Sequence, residues 1–189
     1  MKKITVVFFL FTAAVCLQAQ TFFWDISFRR GKARESVSIS QIIRMETGED
    51  FLIGITPAAD CYAYVLCYDS NREITVFHNE PMKGGTDIYI GPVKIVDPPG
   101  TETLYVIMSL KKQTKLENLL RSFNNRPDSR QRMDNLYREV VKLQNAASGL
   151  GEPAGAFIAS GGTARSDTRD YVTRFSEKNM YVRAITIRH

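Results

Sequence analysis

Cys61, Cys67, His78 and His189 are the residues outside the N-terminal segment whose types could do nucleophilic chemistry. A thiol hydrolase needs a cysteine nucleophile beside a histidine base with a third group to orient the base. Both cysteines lie in the run Cys61-Tyr62-Ala63-Tyr64-Val65-Leu66-Cys67-Tyr68, whose aromatic and β-branched residues predict a strand. Six residues at about 3.3 Å each put the two sulfurs on one face roughly 20 Å apart. A disulfide needs Cα atoms within about 7 Å, so they do not bridge to each other. In so apolar a stretch they read as small buried hydrophobes, where a thiolate is disfavoured. His78 falls at a strand end, and His189 is the last residue, where chain ends fray. The expected catalytic set is therefore empty.

Metal and cofactor chemistry is no better supported. No Cys, His, Asp or Glu cluster has ligand spacing, and Asp167 with Asp170 reads as solvated loop acids. Gly149 to Gly155 follows a helix pattern and contains Pro153, and Ser160-Gly161-Gly162-Thr163 lacks a lysine, so neither is a phosphate loop. No cofactor is expected. Tyr62, Tyr64 and Tyr68 share one strand face with Leu66. Such a stripe can line a groove for a glycan, a peptide or a partner strand, although at this period it more often packs a core.

The N-terminus carries the firmest functional signal. Lys2 and Lys3 precede twelve apolar or small residues, Ile4 to Val15, and Leu17-Gln18-Ala19 offers a small residue for cleavage before Gln20. This is the layout of a secretory signal peptide, residues 1–19, and it is short of the roughly 20 residues a membrane-spanning helix needs. Cys16 offers a second layout, lipidation behind Ala13-Ala14-Val15, with Val15 standing where Gly, Ala or Ser is usual. The expectation is export to the periplasm or beyond, with lipid anchoring to an envelope membrane as the alternative and no transmembrane span in the mature chain.

Cutting after Ala19 removes two lysines and no acid, so the mature chain of 170 residues would carry +3. That length is one domain with a real core. So mild a charge gives no warrant for nucleic acid as partner. Arg165, Arg169, Arg174, Arg183 and Arg188 form a basic tail suited to an anionic surface, diluted by Asp167, Asp170 and Glu177.

The elements follow from pattern. Residues 20–189 read as a single β-rich domain: a core at about 35–110, a helical insertion at 114–148, a Gly-rich loop at 149–170 and a returning strand at 179–188. Within the core, strands are expected in Ser36–Met45, Phe51–Thr56, Cys61–Tyr68, Glu73–His78, Asp87–Ile90, Val93–Val96 and Thr103–Leu110, separated by turn residues. Neither face of the cysteine strand is polar, which marks it as central. Leu116, Leu119, Leu120 and Phe123 form one helix stripe, and a second helix opens at Pro127-Asp128-Ser129 with Met133, Leu136, Tyr137, Val140 and Leu143. Ala154–Ala159 reads as a brief strand, and Gly161–Arg169 as a mobile polar stretch. Phe22, Phe23 and Trp24 either begin a first strand with Ile26 and Phe28 or form an exposed docking peptide. The fold class is mainly β, a β-sandwich with an inserted helical hairpin, α+β overall.

With these strands placed, residues 49–110 resemble a bacterial domain of unknown function found in exported proteins and beside kinase or caspase-like modules. The likeness lies in Glu49-Asp50-Phe51-Leu52-Ile53-Gly54-Ile55, in Tyr62-Ala63-Tyr64-Val65-Leu66 with Asp69 in the next turn, in Val76-Phe77-His78-Asn79, and in Pro99-Gly100-Thr101-Glu102 before Leu104-Tyr105-Val106-Ile107. His78 stands where that pattern has proline, and Asn71-Arg72 replaces a glycine turn. The resemblance implies a β fold and an accessory role, and it supplies no active site. The expected function is a non-catalytic binding or assembly module of the cell envelope with a protein partner. The alternatives are an envelope hydrolase whose site forms only in three dimensions and an anionic lipid or glycan binder at the membrane surface.

Overall fold

Alternating burial along the first strand shows how the sequence builds the core. In β1 (Phe22–Arg30), Phe22, Trp24, Ile26 and Phe28 point inward and are buried, and the residues between them are exposed or half-buried. A computed structural model describes residues 22–147, 155–159, 170–177 and 179–189. The expected signal peptide and its expected Ala19-Gln20 cleavage site, Cys16, and the polar stretch Gly161–Arg169 lie outside them.

The remaining strands are β2 (Glu35–Val37), β3 (Ile43–Arg44), β4 (Asp50–Pro57), β5 (Cys61–Tyr68), β6 (Ile74–His78), β7 (Pro81–Met82), β8 (Ile88–Lys94), β9 (Thr101–Ser109), β10 (Gly155–Ala159), β11 (Asp170–Glu177) and β12 (Met180–Arg188). They form two six-stranded sheets. The first runs β10-β11-β1-β4-β8 with β2 added on β1; the second runs β3-β12-β9-β5-β6 with β7 added on β5. Every ladder is antiparallel apart from β3 on β12. The inner faces close a core that includes Trp24, Ile26, Phe28, Phe51, Ile53 and Ile55 from the first sheet and Val65, Leu104, Val106 and Ile185 from the second. Trp24 stacks on Phe175 at 4.8 Å and meets Tyr181 edge-on at 5.0 Å.

Between β9 and β10 the chain forms α1 (Thr114–Asn125) and α2 (Arg130–Ala147). Leu116, Leu120 and Phe123 on α1 and Met133, Leu136 and Val140 on α2 bury against the outer face of the second sheet, on Tyr64, Leu66, Ile74, Tyr105 and Ile107. The molecule is therefore a β-sandwich with a helical layer on one side, mainly β and α+β overall. Lys115 of α1 pairs with the buried Glu139 of α2, which adds a polar tie between the helices.

The structure amends several expectations. The cysteine strand β5 lies one in from the edge, and both its faces are apolar because the hairpin covers the second one. Ser36–Met45 divides: β2 joins the first sheet and β3 the second. Asp87–Ile90 and Val93–Val96 are replaced by one strand, β8, which continues through Gly91-Pro92 opposite an irregular register at Phe51 and Ile53. The stretch 149–170 is not loop throughout, since β10 and the start of β11 fall in it. Phe22–Trp24 belong to an interior strand, with β1 flanked by β11 and β4.

Candidate functional site

The tyrosine stripe on β5 is roofed by the helical hairpin. The Tyr64 side chain is buried; its hydroxyl donates to Glu117 Oε1 at 3.1 Å and accepts the Gln113 N–H at 3.2 Å. Burial pushes the Tyr64 phenol up to about 12, opposed by the Gln113 hydrogen bond and reinforced by the Glu117 carboxylate. Lys112 Nζ sits 2.7 Å from the other Glu117 oxygen. Tyr68 stacks on Tyr137 of α2 at 4.2 Å, and half-buried Tyr62 packs in the same cluster. The three rings thus join sheet to helices.

Cys61 and Cys67 are free thiols, buried in the sandwich core. Burial, with the Asp60 charge second, pushes Cys61 up to about 12. Burial also raises Cys67 strongly, helped by Glu102, whose Oε2 accepts the Cys67 thiol at 3.7 Å. His189 does not fray. Its backbone N–H and C=O pair with those of Gly100 at 3.1 Å each, and its buried ring places Nε2 3.4 Å from Glu102 Oε1. The order is thiol, carboxylate, imidazole. A hydrolase needs the imidazole between the other two, to take the proton from sulfur, whereas here burial and the Glu102 carboxylate favour the protonated thiol. Glu102 enters only through strand register, because β9 pairs with both β5 and β12; the Gly100-Thr101-Glu102 entry into a strand was its one sequence signal. His78 Nε2 is 3.2 Å from the Glu80 carbonyl oxygen. Among the described residues no group of His, Cys, Asp and Glu is arranged to hold a metal ion.

A third feature has no counterpart in the sequence reading. The β1–β2 and β3–β4 connections and the end of β8 surround an open hollow of about 970 Å³. Arg30 builds its wall: Nε bonds Glu35 Oε2 at 3.0 Å, and Nη1 bonds the Arg44 carbonyl at 2.7 Å, joining the two sheets. Gly31, at φ 66°, takes a left-handed turn, and a Cβ there would lie 2.9 Å from Glu49 Oε1. Glu49 Oε2 in turn accepts the Glu46 N–H at 3.1 Å, and Arg34 pairs with Asp50 at 3.6 Å. Arg30 with Glu35 and Arg34 with Asp50 are thus paired, while Glu49 bonds only a backbone N–H. Lys32, Arg44 and Lys94 present exposed cations to the hollow against the carboxylates of Glu46 and Glu49, a slight cationic surplus suited to an acidic ligand segment. Arg183 is spent on the Ile39 carbonyl at 3.0 Å and on the Phe175 ring, and Arg165 and Arg169 lie outside the described residues.

No family model, curated protein or solved structure matches this chain. Residues 49–110, which carry the resemblance noted above, supply β4 through β9. No helix among the described residues is long and apolar enough to cross a membrane.

Proposed function

We propose that the chain is a non-catalytic, exported binding or assembly module of the bacterial cell envelope, related through residues 49–110 to the exported domain it resembles. The observation that carries this reading is the hollow at the end of the sandwich, where the cations of Lys32, Arg44 and Lys94 converge from the β1–β2 connection, β3 and the end of β8. β-sandwiches commonly bind through loops gathered at one end, and the occupant whose chemistry fits here is an acidic segment of a partner protein. The leader pattern supports the compartment, and the protonated thiol beside Glu102 supports the non-catalytic part. In-cell crosslinking of the native protein, followed by mass spectrometry of what is attached, tests the reading. One dominant envelope protein in stoichiometric yield is expected; recovery of the monomer alone contradicts it. An intact mass beginning at unmodified Gln20 is the companion result, and a lipid-bearing Cys16 would replace soluble export with anchoring.

A further inference from the structure

The outer face of the first sheet, opposite the helical layer, carries two exposed aromatic rings, Phe23 at 41% and Tyr89 at 59% of full exposure. Strand register aligns Ser27 of β1, Gly54 of β4 and Tyr89 of β8 in one cross-strand row. Gly54 does not have a positive φ, so what the glycine supplies is room. A Cβ at Gly54 would lie 3.1 Å from Tyr89 Cε1 and 2.7 Å from Ser27 Oγ. One edge of the Tyr89 ring therefore lies down over the glycine, with the Ser27 hydroxyl on its other side. Asp87 holds the arrangement. Its Oδ1 accepts the Thr56 hydroxyl at 2.6 Å and its Oδ2 the Tyr89 hydroxyl at 3.5 Å.

We infer that this face is a carbohydrate platform, with Tyr89 as the stacking ring and Ser27, Thr56 and Asp87 as the flanking hydrogen-bonding groups. A pyranose ring offers an apolar C–H face to an aromatic plane and hydroxyl donors around its edge. The Tyr89 face supplies the first partner, and an acceptor-only carboxylate beside two hydroxyls supplies the second. Covering a glycine with an aromatic ring is also a way to stabilise a sheet, but that role needs only apolar cover. It does not call for a carboxylate bridging the tyrosine hydroxyl to a neighbouring strand. The acidic group favours a neutral sugar over an anionic one. Phe23 lies on the same face, roughly 16 Å from Tyr89 by strand spacing and rise, which suits an extended oligosaccharide in place of a single sugar. None of these residues lines the charged hollow, so the platform goes beyond the partner-binding reading and stands or falls separately.

Titration calorimetry of the mature chain with cellohexaose, chitohexaose and mannohexaose tests the platform, using Tyr89→Phe and Tyr89→Leu as the paired variants. Both replacements keep cover over Gly54, which thermal unfolding verifies, and only phenylalanine keeps a flat ring. The expected result is binding of at least one hexamer, retained within a few-fold in Tyr89→Phe and weakened about tenfold in Tyr89→Leu. Binding of one hexamer alone would also say whether the acetamido group or the hydroxyl stereochemistry is read. The inference is overturned if none of the three binds, or if Tyr89→Leu binds as tightly as Tyr89→Phe with equal thermal midpoints.

Discussion

At the scale of single residues, the chemistry is decided by burial and by which group stands next to which. Cys67 has a carboxylate for a neighbour where a nucleophile would need an imidazole, and both thiols are raised by desolvation. Neither should react with iodoacetamide in the native protein at pH 8, and both should react fully after denaturation; native alkylation of Cys67 would contradict this account. The sequence showed that these cysteines were buried and too far apart to bridge. It did not show Glu102 and His189 beside Cys67, since that contact depends on two ladders meeting on β9.

Tyr64 and Cys61, together with Cys67 and Tyr105, set an alkaline limit. The ordinary values of 10.0 for Tyr64 and 9.0 for Cys61 rise to about 12 in the fold, and burial raises Cys67 and Tyr105 as well, so above pH 9 the folded state holds protons that the unfolded chain has released. Stability should be complete below pH 9 and should decline as pH rises toward 12. Tyr64→Phe should lower stability near neutral pH by about 1–3 kcal/mol, because the Gln113 N–H loses its acceptor, and should flatten the alkaline decline. Denaturant unfolding of both proteins at pH 7, 9.5 and 11 checks the two effects; a parallel decline in the variant would show that Tyr64 is not responsible.

At the scale of elements, the helical hairpin is a structural layer. Leu136 has no exposed surface and packs with Leu120 and Phe123 over the β5 and β9 face. Leu136→Ala should cost about 2–5 kcal/mol, measured by chemical denaturation with the circular-dichroism signature of both sheets intact below the transition. A loss below about 0.5 kcal/mol would mean that the hairpin is not seated as described. Most elements were legible because their burial is periodic, as in β1, β4 and the two helix stripes. β11 was not read as a strand. Its inward residues Thr173 and Phe175 are interleaved in sequence with Asp170, Arg174 and Glu177, and a buried threonine reads as polar. β8 was split in two because Gly91-Pro92 signals a turn, whereas here the pair sits at an irregularity on an edge strand, where a missing N–H is tolerated.

At the scale of the whole molecule, the surfaces with ligand chemistry lie away from the cysteine strand that first drew notice. The hollow gathers residues from 30–35, 44–50 and 92–94, and the sugar platform gathers Ser27 of β1, Thr56 of β4, Asp87 just before β8 and Tyr89 within it. No local motif could announce either, because strand order and register assemble them. The account rests most on the hollow, and the measurement that tests it directly compares in-cell crosslinking of the wild-type chain with that of Lys32→Glu/Arg44→Glu/Lys94→Glu. These side chains are exposed and make no ion pair among the described residues, so the reversal should shift unfolding free energy by no more than about 0.5 kcal/mol each. The account predicts one dominant partner on the wild-type protein and its loss from the folded, exported variant; equal recovery of that partner by the variant would contradict it.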